Sequence, residues 1–301
     1  MRYGLRYQGS KSEIAERIVA LLPEAEHLYD IFAGGCAVTH CAMAQTGGLF
    51  SKWRRFHAND ATDMPRLFAD AMAGKYADER RWISREDFLR LKEDDPYVRS
   101  VWSFGNNGRS YLYSRKLEPY KKALHEMLFA ETVQQRRVLY RTVIKELLPL
   151  LGKTSTKSLQ YLQSLQSLQR LESLERLQSL QSLESLERLQ SLQSLQSLQS
   201  LGITQLDYRE VQVLPDSVIY ADPPYIGTTG YGKAKFDHEA FYDWCERQDA
   251  PLFISEYWMP EDRFTCIAEW GRTSSLSATN NSLRVGERIY RPNTQLRNIK
   301  K

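Results

Sequence analysis

The fold of this 301-residue chain is decided by residues 27–36, which read HLYDIFAGGC. The mostly apolar run from His27 to Phe32 predicts a short buried strand, and Gly34 and Gly35 predict a tight turn after it. Small residues from Cys36 to Gln45 then predict a helix. This order of strand, glycine turn and helix is how nucleotide-like ligands are held in open parallel sheets.

The alternation of helix and strand continues on both sides of this segment. Upstream, Ile14 to Leu22 has helical periodicity that Pro23 ends, and downstream a strand is predicted over Arg55 to Ala58, shortly before Asp60. Further elements are predicted towards the C-terminus: a strand at Ser217–Ala221, a helix at His238–Gln248, a strand at Leu252–Ser255, and two strands at Thr273–Ala278 and Arg284–Arg291. The last two, separated by Asn280-Asn281, predict an antiparallel hairpin at a sheet edge. We therefore predict an α/β fold with a mainly parallel sheet.

The middle of the chain has a different character. From Lys75 to Leu151 it is charged, aromatic and mostly helical in pattern, with 16 Lys and Arg against 11 Asp and Glu. We predict one α/β domain formed by residues 1–74 and 203–301. It is interrupted by a mostly helical region over residues 75–152 and by a repeat over residues 153–202.

The repeat places leucine at every third position from Leu159 to Leu201, fifteen leucines in all. Its twelve-residue unit Leu171–Ser182 recurs identically at Leu183–Ser194, which indicates recent tandem duplication. Period three gives no constant stripe on an α-helix, although the composition favours helix. A helix, a solenoid and a disordered tract all remain open. The repeat is a candidate surface for self-association, and a tolerated insertion is the alternative.

Composition restricts the class of protein. The hydrophobic fraction is 42%, and no apolar run approaches the roughly 18 residues of a membrane helix, so we expect a cytoplasmic protein. The four cysteines form no Cys-x-x-Cys pair and have no histidine at ligand spacing, so we expect small buried thiols and no metal site. The net charge of +4 permits a nucleic-acid partner without requiring one.

Asp222-Pro223-Pro224-Tyr225 follows the predicted strand Ser217–Ala221 directly. An exocyclic base amine is a poor nucleophile because its lone pair is delocalised into the ring, so it needs acceptors that draw it towards sp³ geometry. A carboxylate and a carbonyl free of regular structure serve this purpose, and the two prolines keep the backbone out of regular structure. The tyrosine offers a stacking face for a flipped base. A plain loop is the alternative, but the carboxyl end of a strand is where open sheets bind ligands.

These four residues resemble the catalytic motif of amino-methylating DNA methyltransferases. The chain as a whole resembles the Dam-like, D12 class of N6-adenine-specific enzymes. Tyr7-Gln8-Gly9-Ser10-Lys11 is similar to the N-terminal segment of that class, and Asp30-Ile31-Phe32-Ala33-Gly34-Gly35 is similar to its methionine-binding loop. The resemblance implies a Rossmann-like S-adenosylmethionine-dependent methyltransferase fold with an inserted target-recognition region, encoded by a bacterium or phage.

The resemblance also implies roles for individual residues. Asp222, Pro223, Pro224 and Tyr225 would be catalytic, and S-adenosylmethionine would be the methyl donor, with no metal. Its binding residues would be Tyr7, Lys11, Asp30, Phe32, Gly34, Gly35 and Asp60. Lys11 would reach the donor carboxylate and Asp60 the ribose hydroxyls; a solvated lysine and a helix cap are the respective alternatives. The chain departs from the family at Cys36, where the loop usually has glycine.

The insertion contains the turn Gly105-Asn106-Asn107-Gly108-Arg109-Ser110-Tyr111, flanked by aromatic and basic residues. Such interleaving suits contacts to phosphates and bases, so Arg109, Tyr111, Arg115 and Lys116 are candidate contacts to double-stranded DNA. A solvated helical surface is the alternative. Tyr257, which follows the strand next to the catalytic one, is a candidate for the base pocket.

The sequence thus predicts a site-specific DNA adenine N6-methyltransferase. Methylation of cytosine N4 or of an RNA base is the nearest alternative. A catalytically lapsed interaction protein, assembled through the leucine repeat, is an alternative from a different class.

Overall fold

The computed structural model describes residues 3–5, 9–45, 52–142, 189–192, 200–226, 236–272 and 285–297. They form two compact units. The first holds residues 3–5 and the described parts of 9–69 and 200–297; the second holds residues 70–142 and 189–192. The predicted strand Thr273–Ala278 and most of the leucine repeat lie outside the described residues.

The first unit is built on a seven-stranded sheet of order β3-β2-β1-β4-β5-β7-β6. The strands are β1 (His27–Asp30), β2 (Arg55–Asn59), β3 (Ser200–Thr204), β4 (Ser217–Ala221), β5 (Leu252–Glu256), β6 (Phe264–Arg272) and β7 (Val285–Pro292). Strands β1 to β5 are parallel, whereas β7 runs antiparallel to both β5 and β6. The predicted α/β fold, with a mainly parallel sheet and a C-terminal antiparallel pair, is confirmed.

The two strands at the sheet edges differ from the sequence prediction. β3 begins at Ser200, inside the end of the predicted repeat, and β6 covers Phe264–Arg272, before the predicted strand Thr273–Ala278. Both strands have mixed polar and apolar side chains, because an edge strand has a neighbouring strand on one side and solvent on the other. Hydrophobic patterning therefore does not reveal them.

The α-helices within the described residues of the two units are α1 (Ala15–Leu21), α2 (Ala37–Ala44), α3 (Met64–Met72), α4 (Arg85–Leu91), α5 (Pro96–Val101), α6 (Glu118–Leu128), α7 (Val133–Thr142), α8 (His238–Glu246) and α9 (Asn293–Arg297). In the first unit, α2 and α8 lie on opposite faces of the sheet. Strand side chains alternate between faces. Tyr29 and Ile219 form one buried cluster with Phe241 of α8, whereas Asp30 points to the opposite face, where it bonds to Thr39 of α2.

The second unit contains α4 to α7 around an aromatic core. Ser84 and Asp95 cap α4 and α5 by accepting backbone hydrogen bonds, and Pro96 occupies the first turn of α5. Trp82 packs edge-on against Trp102 at 4.9 Å and stacks on Tyr113 at 5.7 Å. The prediction of a mostly helical insertion holds for its described residues.

Three of the four cysteines are buried, as predicted, but Cys266 is exposed. Its position on the edge strand β6 leaves the thiol at the surface, which corrects that part of the expectation. Within the described parts of the chain, no helix combines the length and apolar character needed to cross a membrane.

Candidate active site

Buried carboxylates gather at the edge of the sheet where the parallel strands end. Asp30 ends β1, Asp60 follows β2, Asp222 follows β4 and Glu256 ends β5. Asp30, Asp60 and Glu256 are buried residues. So many acids in one place favour a ligand that carries positive charge.

Asp222 combines a bound and an unbound carboxylate oxygen. Its Oδ2 lies 2.7 Å from Lys11 Nζ. Its Oδ1 is buried and has no hydrogen-bond partner within the described residues. Because a buried acceptor without a partner is costly, this atom is poised for a donor from outside the chain.

Tyr225 is held in a fixed orientation beside Asp222. Its hydroxyl donates to Glu287, and its ring packs edge-on against Tyr257 with centroids 4.5 Å apart. The Lys11 ammonium lies 4.7 Å from the ring centroid. The carbonyl of Pro224 lies 3.0 Å from His238 Nε2, and Pro223 is buried between Asp222 and Pro224. The structure thus brings Asp222, Tyr225, Tyr257 and Lys11 together.

The glycine turn is tied to Asp60. The backbone N–H of Gly34 donates to Asp60 Oδ2 at 2.8 Å, while Asp60 Oδ1 accepts from the backbone and hydroxyl of Thr62. Asp60 therefore connects the glycine turn to the loop that precedes α3, which begins at Met64, so it is not the cap of that helix. Cys36 has a left-handed backbone with φ of 57°, which explains why glycine is usual there.

Asp30 and Phe32 lie just before the glycine turn, and both are held by side-chain contacts. Asp30 Oδ2 accepts from the Thr39 hydroxyl at 2.7 Å and from the Thr39 backbone at 3.3 Å. Phe32 packs against Tyr208 and Phe241 with centroid distances of 5.4 Å and 5.7 Å. Both residues support the turn that the sequence identified.

The N-terminal segment docks on the same turn. The backbone N–H of Leu5 bonds to the Gly35 carbonyl at 2.6 Å, and that of Gly4 bonds to His40 Nδ1 at 2.9 Å. Lys11 is buried, which excludes the solvated alternative, and its ammonium contacts Asp222. Tyr7 lies outside the described residues.

Burial sets the charge states of the acids. It raises the pKa of Asp222 to about 6, with the Lys11 ammonium opposing the rise and the Glu287 carboxylate adding to it. Burial also raises the pKa of Asp30 to about 7 and that of Glu256 to about 8. Burial lowers the pKa of Lys11, but the Asp222 and Glu287 carboxylates outweigh it, so that this pKa is raised and the lysine stays charged.

Sequence reasoning missed Glu287, Glu256 and Gly4. Glu287 lies two residues before the buried Ile289 on β7, and residues two apart share one face of a strand. This spacing would have placed the Glu287 carboxylate on the covered face of the sheet. Glu256 extends the buried run of β5 by one residue. For Gly4 the chain offers no local signal, because its neighbours in space come from the glycine turn.

In the second unit, the predicted recognition turn is held by hydrogen bonds within the chain. Gly105, Asn106 and Gly108 have positive φ, the Asn107 side chain accepts from Arg109 and Ser110, and the Gly108 N–H donates to the buried Ser103 hydroxyl. Arg109, Arg115 and Lys116 are exposed, and Phe104 is exposed over 63% of its surface.

Tyr111 differs from the expectation for a DNA contact. It is buried, and its hydroxyl donates to the Ile83 carbonyl at 2.7 Å. Its ring packs against Phe88 and lies under the Arg85 guanidinium. Tyr111 therefore holds the unit together, and Phe104 is the aromatic residue that the turn presents to solvent.

The described residues define an α/β fold with a mainly parallel sheet, a glycine turn after β1 and Asp222-Pro223-Pro224-Tyr225 after β4. The model of the D12 class N6 adenine-specific DNA methyltransferase family matches residues 7–118. The resemblance is thereby confirmed over that range, which includes the glycine turn, Asp60 and the recognition turn. Asp222-Pro223-Pro224-Tyr225 lies outside the matched range.

Two solved structures of the rRNA methyltransferase aviRa from Streptomyces viridochromogenes are similar to this chain. They share 11% and 12% identity with it, cover 96% and 95% of it, and are themselves covered over 86% and 84%; the TM-score is 0.36 for both. No curated protein sequence matches the chain. Likeness at this TM-score carries no conclusion about activity.

Proposed function

We propose that this protein is an S-adenosylmethionine-dependent DNA methyltransferase that methylates the N6 amine of adenine. The observation that carries the proposal is the Asp222 carboxylate, with a buried unbonded oxygen beside the fixed ring of Tyr225. The family match over residues 7–118 supports the choice of DNA and of adenine.

The base side of the reaction rests on Asp222, Pro223 and Tyr225. A flipped adenine stacks on the tyrosine ring, and Asp222 Oδ1 and the Pro223 carbonyl accept the two N6 hydrogens. These acceptors draw the amine lone pair out of the ring, so that nitrogen can attack in line. Asp222 is ionised above pH 6 and can take the proton that the methylated amine loses.

The donor side rests on the glycine turn. Gly34 and Gly35 leave room for close approach, and the N-terminus of α2 favours a carboxylate. When bound, S-adenosylmethionine supplies an electrophilic methyl group on a cationic sulphur. The buried acid Asp30 ends β1 just before the turn and matches that positive charge when it is ionised, so the residues present fit the donor. Phe32 and Asp60 contact residues around the turn, and Tyr7 stays a proposed donor-binding residue from the family resemblance alone.

Lys11 is assigned to the catalytic carboxylate in addition to the proposed donor contact. Its ammonium lies 2.7 Å from the Asp222 carboxylate and therefore pairs the charge of that acid before the substrate binds. Its ammonium lies over Tyr225, the ring on which the base would stack.

Double-stranded DNA is the proposed macromolecular substrate. Arg109, Arg115 and Lys116 are exposed cations near the recognition turn, and such side chains bind backbone phosphates. Phe104 adds an exposed aromatic face to the same turn.

Mass spectrometry of nucleosides tests the proposal. Duplex DNA from a methylation-deficient host is incubated with the protein and S-adenosylmethionine, then digested. We expect N6-methyladenine. N4-methylcytosine in its place would identify the second candidate activity on the same acceptor pair. RNA is incubated and digested in the same way. If neither DNA nor RNA yields a methylated nucleoside and calorimetry detects no donor binding, the lapsed interaction protein is favoured.

A further inference from the structure

Glu287 is a buried carboxylate on β7 that no motif includes. It is 2% exposed and lies on the same face of its strand as the buried Ile289. β7 runs antiparallel between β5 and β6 and begins at the edge of the sheet where β4 and β5 end, so Glu287, near the start of β7, lies at that edge. Burying a charged carboxylate costs folding free energy unless the charge is paired and hydrogen-bonded.

Two groups of the catalytic region contact Glu287. Its Oε1 accepts the hydrogen bond of the Tyr225 hydroxyl and lies 3.6 Å from Lys11 Nζ. Lys11 in turn lies 2.7 Å from Asp222 Oδ2. One ammonium is thus shared between two carboxylates, one of which also orients the tyrosine.

We propose that Glu287 is a positioning residue for methyl transfer, which fixes the Tyr225 ring through its hydroxyl and shares Lys11 with Asp222. The inference rests on the proposed function of the site. Because the Lys11 ammonium lies near both Glu287 and Asp222, its electrostatic attraction is divided between the two carboxylates. The base amine then competes more easily for the catalytic carboxylate.

The second carboxylate also shapes the electrostatics of the site. With Asp222, Glu287 and Lys11 charged, the group carries one net negative charge, and the Glu287 carboxylate raises the pKa of Asp222. Neutralising Glu287 leaves a Lys11–Asp222 pair without net charge. Among the described residues, the titratable and charged groups that act on Glu287 or share this site include Lys11, Asp30, Asp222, Tyr220, Tyr225, Glu256 and Tyr257.

The first test is Glu287→Gln, which keeps the shape and an oxygen acceptor but removes the charge. We expect kcat to fall about 10-fold or more, with KM values for DNA and donor within about threefold. The acidic limb of the kcat profile should move to lower pH, because the Glu287 charge is one cause that raises the pKa of Asp222. A purely structural role would change thermal stability without moving this limb.

Glu287→Asp supplies a second, independent measurement. The shorter side chain keeps the charge but does not reach the Tyr225 hydroxyl, so kcat should fall while the acidic limb stays in place. Tyr225→Phe should make the further loss from Glu287→Gln smaller than in the wild type, since the shared hydrogen bond is already gone. The matched control is Glu269→Gln on β6, where the carboxylate is 52% exposed and pairs with Arg288; its kinetics should equal wild type.

The outcomes separate this inference from the function on which it rests. If wild type methylates DNA and Glu287→Gln shares its kcat and pH profile, the positioning role is wrong and the proposed function stands. If Glu287→Gln does not fold, an unchanged kcat in Glu287→Asp overturns the role in the same way. If wild type transfers no methyl group at all, both are overturned.

Discussion

Lys11 Nζ lies 2.7 Å from Asp222 Oδ2, and this ion pair joins the N-terminal segment to the residue that follows β4. The lysine is 7% exposed and the aspartate 17%, so the pair is shielded from water and its removal on one side would leave a buried charge. The same N-terminal segment docks on the glycine turn through Leu5 and Gly35. One short stretch of chain therefore contacts both the proposed donor loop and the proposed acceptor.

The first prediction concerns this docking. A Cβ at Gly4 would lie 2.4 Å from the Gly35 carbonyl oxygen and 2.6 Å from Ala37 backbone atoms, and Gly4 has φ of +67°. Gly4→Ala should destabilise the protein by about 1–3 kcal/mol and weaken donor binding. Chemical denaturation and calorimetry measure the two effects. Gly271→Ala, which meets no atom within 4 Å, is the control and should change stability by less than about 0.5 kcal/mol. Equal behaviour of both variants would contradict the docking.

The second prediction concerns Cys36, which occupies a left-handed position where glycine is usual. Cys36→Val should cost about 1–2 kcal/mol more than Cys41→Val, because a β-branched residue is disfavoured in this conformation and Cys41 lies within helix α2. Cys36→Gly should be tolerated within about 1 kcal/mol, since relief of the backbone offsets the lost thiol contacts. Thermal melts rank the variants, and a more stable Cys36→Val than Cys36→Gly would contradict this reading of the loop.

The third prediction concerns how the ionisation of Asp30 affects the stability of the protein. Burial raises its pKa from 3.8 to about 7. The stability that its proton contributes is therefore fully present below pH 3.8 and is lost as pH rises through about 7. Asp30→Asn keeps an acceptor for Thr39, so its stability relative to wild type should improve by about 1–3 kcal/mol between pH 5 and pH 8.

Above about pH 7, where Asp30 is ionised, the same variant should bind the methyl donor at least about 10-fold more weakly, because it lacks the negative charge proposed to attract the cationic donor. Denaturation at both pH values and calorimetry test this trade-off. Asp262→Asn removes one exposed acid and is the control for net charge. A variant that gains stability and still binds the donor normally would remove Asp30 from the donor site.

The fourth prediction concerns DNA. Arg109→Ala should weaken duplex binding and reduce the slope of log affinity against log salt by about 1, if the side chain contacts one phosphate. Fluorescence anisotropy over a range of salt concentrations measures both quantities. Arg90→Ala is the control, since Arg90 is exposed in the same unit but paired with Asp87. An unchanged slope in Arg109→Ala would place DNA elsewhere.

Much of the fold could be predicted because its signals are local. The apolar runs of β1, β4 and β5, the glycines after β1 and the small residues of α2 each lie within ten residues of sequence. The position of Asp222-Pro223-Pro224-Tyr225 directly after β4 was predictable for the same reason. The edge strands β3 and β6 have no such pattern, because one side of each strand is uncovered.

The parts of the site that were not predicted depend on contacts distant in sequence. Glu287 reaches Tyr225 only because β7 turns back beside β5. Lys11 contacts Asp222 because its segment packs on the glycine turn, so its role was predicted at the donor alone. Tyr111 looked like a surface residue among cations, but its hydroxyl bonds to Ile83 in the interior.

The central claim is that Asp222 accepts the target amine, and transfer of radiolabelled methyl groups to duplex DNA tests it most directly. Asp222→Ala should bind S-adenosylmethionine within about threefold of wild type by calorimetry and transfer no measurable label, because the acceptor that activates the amine is lost. Asp249→Ala, an exposed acid in the same unit, should transfer label at the wild-type rate. Methylation by Asp222→Ala at a rate near that of wild type would contradict the account.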